Sequence, residues 1–280
     1  MAEISAASVG KLREMTNAGM MDCKKALTEA KGDLSLAVDL LRKKGAATAA
    51  TKATREAREG VIAQHITAGG RLGVLVEVNC ETDFVARNDL FRAFAEEVAK
   101  KLAADPKTNF DADIQGVVAQ IRENIKIPRH SRMEVNGNGL VAAYIHTGAK
   151  VGVLVEVGAG KESTVANDEF KQLVKDITLQ IAAGHPNWVT RDEVPADVLA
   201  KEKEIAADQV KNKPPQAIAK IVEGKLEKFY QTYCLVDQGF VKKNSEISLK
   251  EHLGSVAKQL GDEITIRRFV RFQVGESTGT

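Results

Sequence analysis

Two copies of one segment, 79 residues apart, restrict the possible folds of this 280-residue chain more than any other feature of its sequence. Residues 70–104 align without gaps to residues 149–183, and 11 of the 35 aligned pairs are identical. Six of these identities form the run Gly73-Val-Leu-Val-Glu-Val78. Each copy has the pattern of a strand, a glycine turn, a second strand, a short loop and an amphipathic helix. The repeat predicts an α+β fold whose two-part core consists of duplicated strand-strand-helix units.

The segment before the repeat is helical in pattern. Residues 1–45 have the apolar spacing of three short helices, with Asp33 as the expected N-cap of the third helix and Gly45 as its end. Such a module has little core of its own, which predicts a three-helix, ubiquitin-associated-like unit that binds a partner. Residues 46–59 carry almost no large apolar side chains and predict a linker that is at most partly helical.

The rest of the chain divides around the two copies. We expect the first half of the core over residues 60–140 and the second half over residues 141–280. Two helical patterns separated by a Pro-Pro pair predict an inserted helical hairpin over residues 196–230, with the first pattern running on to Lys213. The chain closes with an alternating pattern over residues 264–274, which predicts a final strand.

Composition excludes several classes of protein. Hydrophobic residues make up 44% of the chain and charged residues 28%, with a net charge of +2, so neither nucleic acid nor a membrane surface is an expected partner. The longest apolar runs are each interrupted by a glutamate, and the N-terminus lacks a signal-peptide pattern. Cys23, Cys80 and Cys234 form no CxxC pair, which predicts free thiols in a reducing, cytoplasmic setting. Cys23 and Cys80 are expected to be small buried residues.

The two copies differ most in the loop between second strand and helix, which spans residues 79–88 in the first copy (loop 79–88). There Phe84 aligns with Ser163 of the second copy, and Asp83 with Glu162. Periodicity favours Phe84 as a core residue that packs under its own helix. Core positions that correspond in two copies of a repeat tend to stay apolar, however, and Ser163 is polar. This mismatch favours an exposed Phe84 that protrudes as a wedge. A helix N-cap is the structural alternative for Asp83 or Thr82.

Two sequence motifs resemble one known family. The string Thr82-Asp-Phe-Val-Ala-Arg-Asn88 and the string Thr16-Asn-Ala-Gly-Met-Met-Asp-Cys-Lys-Lys-Ala-Leu27 are both similar to signatures of bacterial elongation factor Ts. The resemblance extends from residue 1 to about residue 275, in the order that the family shows: helical module, linker, two-part core, hairpin and final strand.

The resemblance implies a function without catalytic chemistry. Members of this family are guanine-nucleotide exchange factors of the GTPase elongation factor Tu, not enzymes with a cofactor or metal of their own. In the family, an Asp-Phe pair enters the nucleotide domain of the partner beside its magnesium site and promotes GDP release. The matching residues here are Asp83 and Phe84, flanked by Thr82 and Val85.

Further contacts with the partner follow from the resemblance less directly. They fall on Lys24, Ile121, His146 and Val241. Ile121 is followed by Arg122 where a member of the family has glycine. For His146, a histidine that simply ends a strand is an equal alternative. The resemblance also implies that the hairpin contacts the partner or forms a homodimer.

Other functions have weaker sequence support. The run Gly158-Ala-Gly-Lys-Glu-Ser163 resembles a phosphate-binding loop, but Val155 and Glu162 occupy positions where that motif needs Gly and Ser or Thr. The five histidines show no metal-ligand spacing.

Two non-enzymatic alternatives also remain open from sequence. An RNA-binding protein would use a basic, aromatic final strand, formed by Arg267, Arg268, Phe269 and Arg271. The commoner interpretation of such a pattern is the solvated face of an edge strand. A generic adaptor would explain the three-helix module but not the difference between the loops of the two copies.

Overall fold

The N-terminal segment folds into three helices, as predicted. The computed structural model describes residues 4–16, 18–211 and 214–276. Helices α1 (Ala6–Thr16), α2 (Met20–Glu29) and α3 (Leu34–Lys52) enclose a small core with Leu12, Cys23 and Leu27 at its centre. Asp33 caps α3, because its side chain accepts a hydrogen bond from Leu36 N at 3.0 Å.

The third helix is longer than the sequence pattern suggests. The prediction that Gly45 ends this helix is wrong, since α3 continues to Lys52, so residues 46–52 of the predicted linker are helical. A Cβ atom on Gly45 would lie 3.3 Å from Ala119 Cβ, and Ala49 packs against the core of the first half. The small residues that suggested a linker therefore allow close packing of α3 against a neighbouring helix.

The first half of the core is a three-stranded antiparallel sheet covered by helices. Its strands are β1 (Glu59–Ile66), β2 (Leu72–Cys80) and β3 (Lys126–Glu134), in the order β1-β2-β3. Its helices are α4 (Asp83–Ala86), α5 (Asp89–Ala104) and α6 (Asp111–Ile121). The apolar face predicted for α5 packs on the sheet through Phe91, Val98 and Leu102.

The second half repeats this plan with insertions. Its strands are β4 (Gly139–Ile145), β5 (Val151–Ala159) and β6 (Ile264–Gln273), in the order β4-β5-β6. Its helices are α7 (Glu162–Ala166), α8 (Asp168–Gly184), α9 (Ala196–Asp208), α10 (Pro215–Tyr233) and α11 (Leu249–Leu260). The predicted hairpin is formed by α9 and α10. The prediction that its first helix runs to Lys213 is wrong, since α9 ends at Asp208; Lys213 itself lies outside the described residues.

The two sheets pack face to face and give the molecule its central layer. The apolar side chains of this layer are Ile62, Leu75, Met133, Val135, Val141, Leu154 and Phe272. Gly73 and Gly152 occupy equivalent repeat positions, and a Cβ atom on Gly73 would lie 2.5 Å from Val141 Cγ1. The predicted α+β fold with a duplicated core is therefore confirmed, and the shared glycine permits the close approach of the two copies.

The duplication also includes the third strands, which the alignment did not reveal. Glu77 on β2 is buried and pairs with Arg129 on β3, with a distance of 2.7 Å from Arg129 Nε to Glu77 Oε2. Its repeat equivalent, Glu156 on β5, is buried and pairs with Arg268 on β6 at the same distance. Each sheet thus contains one buried carboxylate that is neutralised from its third strand.

Candidate functional site

Loop 79–88 is a short ordered connection with a cap at each helix. β2 ends at Cys80, and the single-turn helix α4 begins at Asp83. Thr82 is the N-cap of α4, since its hydroxyl accepts a hydrogen bond from Val85 N at 3.4 Å. Asn88 caps α5 by accepting from Leu90 N at 2.9 Å. The interpretation of Thr82 as a helix cap is therefore confirmed, while Asp83 lies in the first turn.

Phe84 is 83% exposed, the highest value among the exposed large apolar side chains of the described residues. The helix is anchored from its other face, because Ala86 is buried and Val85 packs against the core of the first half. Ser163, at the equivalent position of α7, is also exposed. The predicted exposure of Phe84 is confirmed, and its interpretation as a core residue is wrong.

The carboxylate beside Phe84 is held at the surface. Asp83 forms an ion pair with Arg87, one helical turn along the chain, with 2.8 Å between Arg87 Nη2 and Asp83 Oδ2. The Arg87 side chain is 75% exposed, so the pair costs little to separate and Asp83 remains available to a partner.

The base of the loop is held by hydrogen bonds to the carboxylate of Glu123, in the turn after α6, and we call this set of bonds the clasp. One oxygen of this carboxylate accepts hydrogen bonds from Glu81 N at 2.9 Å and Thr82 N at 3.0 Å. The other oxygen accepts from the Thr82 hydroxyl at 2.6 Å. Hydrogen bonds to an ionised carboxylate are short and comparatively strong, so this clasp fixes the point from which α4 projects.

A second carboxylate, that of Glu81 in the loop, binds the turn that carries Glu123. Glu81 Oε1 accepts a hydrogen bond from Asn124 N at 2.7 Å, and Arg55 lies 3.4 Å from its other oxygen. Burial opposes ionisation of Glu81, but the hydrogen bond from Asn124 and the charge of Arg55 outweigh it, so the pKa of Glu81 is lowered. Glu81 therefore remains ionised and bonded at neutral pH.

Cys80 supports the same loop through its buried thiol. Its thiol is buried and donates a hydrogen bond to the carbonyl oxygen of Thr82 at 3.2 Å. Burial and, secondarily, the negative charge of Glu123 raise the pKa of the Cys80 thiol to about 12. Cys23 and Cys234 are buried free thiols as well, so the expected burial of Cys23 and Cys80 is confirmed.

The N-terminal module lies beside this site and presents a mixed surface. Lys24 is exposed on α2, and Met20 and Met21, one turn earlier on that helix, are 59% and 64% exposed. The three side chains share a face of α2, and the methionines were not singled out from sequence. Flexible exposed methionines are typical of binding surfaces.

An ion-pair cluster joins the module to α6. Asp22 on α2 contacts Lys44 Nζ at 2.6 Å and Arg122 Nη2 at 2.7 Å. Arg122 ends α6 in the left-handed conformation, with φ of 64°, which explains why glycine suits this position. Ile121, the last residue of α6, is half-buried and packs against the core of the first half.

His146 and Val241 lie together, away from loop 79–88. Both line a groove of about 640 Å³ beside β4 and the end of α8, and none of the lining residues belongs to the loop. The ring of His146 is exposed, and its Nδ1 lies 2.9 Å from the Tyr144 hydroxyl. Val241 is 40% exposed. The structure thus separates the candidate residues into a set around the loop and the module, and a pair at this groove.

Comparison with known proteins identifies the family. The family profile described as Elongation factor TS matches residues 81–276. Elongation factor Ts of Trichlorobacter lovleyi is 42% identical over 98% of this chain and 93% of its own length. The relatives of the same name from Bdellovibrio bacteriovorus and Nautilia profundicola are each 43% identical, over 97% and 99% of this chain and 92% and 94% of their own. The chain belongs to the elongation factor Ts family. The resemblance seen in the two motifs is thereby confirmed, and the chain is a translation elongation factor.

The arginines that suggested RNA binding have other partners in this member of the elongation factor Ts family. Arg267 Nη1 and Arg268 Nε contact opposite oxygens of Glu156, at 2.9 and 2.7 Å. The Arg271 side chain is only 8% exposed and contacts His185 Nε2 at 2.9 Å. Arg267 and Arg268 thus share one carboxylate and remain exposed, whereas the Arg271 side chain is buried.

The described part of the chain shows neither a metal site nor a membrane span. Among residues 4–16, 18–211 and 214–276, three or more His, Cys, Asp or Glu side chains nowhere gather in a metal-binding arrangement. Within the same residues, every helix is too short or too polar to cross a bilayer.

Proposed function

We propose that this chain is a guanine-nucleotide exchange factor that binds elongation factor Tu in its GDP form and promotes GDP release. Phe84 carries the proposal, because it is a large aromatic side chain, almost fully exposed, on a helix whose base is fixed by hydrogen bonds. In water such an arrangement forgoes about 1.5–3 kcal/mol of burial free energy, which a partner recovers by enclosing the ring.

The proposed mechanism needs no catalytic group. A bound Mg²⁺ ion and backbone N–H groups hold the phosphates of GDP in a GTPase largely by electrostatics. Insertion of Asp83 and Phe84, flanked by Thr82 and Val85, beside that site disturbs the magnesium and phosphate contacts. A factor that binds the nucleotide-free GTPase more tightly than the GDP form must weaken GDP binding by the same ratio. The chain thus acts by binding, not as an enzyme.

The remaining candidate residues supply the affinity that this mechanism needs. We assign a first contact surface to Lys24 and Ile121, on the module and at the end of α6, and a second to His146 and Val241 at the groove. The exposure of Lys24 and His146 and the partial exposure of Val241 support these roles. Three free thiols agree with action in the reducing cytoplasm.

The test is stopped-flow release of a fluorescent GDP analogue from elongation factor Tu. We expect the native chain to accelerate release strongly, and Phe84→Ala to lower the maximal rate by about 30-fold, as for aromatic hot spots that contribute about 2 kcal/mol. Binding through the other surfaces should persist, which titration calorimetry measures. Ser163→Ala, at the exposed equivalent position of the second copy, is the matched control.

Two results would contradict the proposal. Absence of acceleration by micromolar native chain would exclude exchange activity and leave an adaptor that binds through its module. Unchanged acceleration by Phe84→Ala would keep the activity but exclude the wedge.

A further inference from the structure

The turn that follows α6 joins two parts of the molecule at the base of loop 79–88. Glu123 reaches the loop, as described, with three hydrogen bonds from Glu81 and Thr82. Its neighbour Asn124 is buried and donates from Nδ2 to the carbonyl oxygens of Arg55, at 2.7 Å, and Ala53, at 3.4 Å. Asn124 therefore binds the turn to the segment that follows α3, and the carboxylate of Glu123 binds the same turn to the loop.

The hydrogen bonds to Glu123 act on the loop backbone rather than on its tip. The amide groups of Glu81 and Thr82 belong to the two residues that immediately precede α4, so their orientation determines the direction in which α4 leaves the sheet. Thr82 also caps α4, and its hydroxyl donates to Glu123 while accepting from Val85 N. One side chain thus controls both the start and the first hydrogen bond of the helix that carries Phe84.

We propose that Glu123 is a positioning residue for nucleotide exchange: it does not touch the partner's nucleotide site but holds Asp83 and Phe84 in the orientation that enters it. The proposal rests on the exchange function proposed above. Without the clasp, the amide groups of Glu81 and Thr82 turn to water, and the loop must be ordered each time the wedge enters. Pre-organised groups avoid this entropic cost.

The kinetic test separates positioning from binding. In Glu123→Ala, we expect the maximal rate of GDP release at saturating factor to fall about tenfold, the cost of re-ordering roughly one backbone residue. The concentration that gives half the maximal rate should change less than about threefold, because the other contact surfaces are intact. Glu123→Gln keeps one acceptor oxygen and should give an intermediate rate. Glu97→Ala, which removes an exposed glutamate from α5, is the matched control.

A second measurement does not depend on exchange activity. Hydrogen–deuterium exchange of the free chain should show the amides of Glu81 and Thr82 exchanging at least about tenfold faster in Glu123→Ala, with the amides of α5 unchanged. Faster exchange throughout the first half of the core would show a general structural role and overturn the proposal. So would a maximal rate and loop protection equal to those of the native chain.

The two readouts also distinguish this proposal from the function on which it rests. If the native chain does not accelerate GDP release, the exchange function fails, whatever Glu123 does. If the native chain and Glu97→Ala accelerate release, Phe84→Ala does not, and Glu123→Ala equals the native chain, only the positioning role fails.

Discussion

Phe84 and Phe91 lie seven residues apart and in opposite environments. Phe84 is 83% exposed, whereas Phe91, in the first turn of α5, is fully buried. The second copy of the repeat shows the same contrast. The residue aligned with Phe91 is Phe170, which is also fully buried, and the residue aligned with Phe84 is Ser163. An aromatic residue retained at an exposed position of one copy alone contributes little to the fold, which is the pattern expected of a binding residue.

This contrast predicts different effects on stability. Phe84→Ala should change the free energy of unfolding by less than about 0.5 kcal/mol, because it removes no packed contact. Phe91→Ala should lower it by about 3–5 kcal/mol, because it leaves a cavity between α5 and the sheet. Urea denaturation followed by circular dichroism measures both. A large loss of stability in Phe84→Ala would mean that the ring packs within the fold in solution.

Among the helices and strands, α3 differs most from what the sequence predicted. Its second half, which has no large apolar residues, lies against α6 through Gly45 and Ala49. Just after this helix, the carbonyl oxygen of Arg55 accepts a hydrogen bond from Asn124. A single long helix therefore connects the N-terminal module to the turn that holds loop 79–88, and close packing along this helix sets where the module lies.

Enlarging Gly45 should weaken this packing. In Gly45→Leu, the new side chain must displace Ala119 and the backbone of α6, and we expect a loss of about 1–3 kcal/mol in the free energy of unfolding. Gly116→Leu is the control, because it places the same side chain on the facing helix α6 where nothing lies within 4 Å. There the gain in helix propensity should stabilise by about 0.5–1 kcal/mol. Equal effects of the two substitutions would exclude close packing at Gly45.

The elements that sequence predicted are those with an internal signal. The strands and helices of the duplicated units were visible because two copies of one pattern support each other, and Asp33 because a cap has a local signature. β3 was missed, since this edge strand carries Pro128 and alternates basic residues with a few apolar ones. Glu123 was missed for a different reason, because its partners lie 41 and 42 residues away and no local pattern records such contacts.

The two halves of the molecule share one arrangement, in which an acidic side chain accepts a hydrogen bond from the loop. In the second copy, Asp262 stands just before β6 and accepts a hydrogen bond at 2.9 Å from the backbone N of Lys161, the repeat equivalent of Thr82. In the first copy, Glu123 stands just before β3 and accepts from Thr82 N. An acidic residue ahead of the third strand thus clasps the same loop position in both halves. The duplicated scaffold thus holds two loops in the same way, and only the first of them carries an aromatic side chain.

The attachment of the module to this scaffold has a pH dependence that can be measured. Hydrogen bonding and the positive charge of Lys44, together with Arg122, lower the pKa of Asp22 in the fold despite partial burial. A lowered pKa means that ionised Asp22 stabilises the fold above its unfolded pKa of about 4, and that this contribution is lost as the pH falls through the lower, folded value.

Asp22→Asn should therefore lower the free energy of unfolding by about 1 kcal/mol at pH 7, a small effect because Lys44 and Arg122 are more than half exposed. The difference from the native chain should shrink steadily below pH 4. Urea denaturation across this range measures it, and Asp39→Asn, at an exposed position of α3, is the control. Combining Asp22→Asn with Arg122→Gln should give a loss smaller than the sum of the two single losses, because each removes the same contact. Strictly additive losses, or a difference independent of pH, would mean that the module is held to α6 by packing alone.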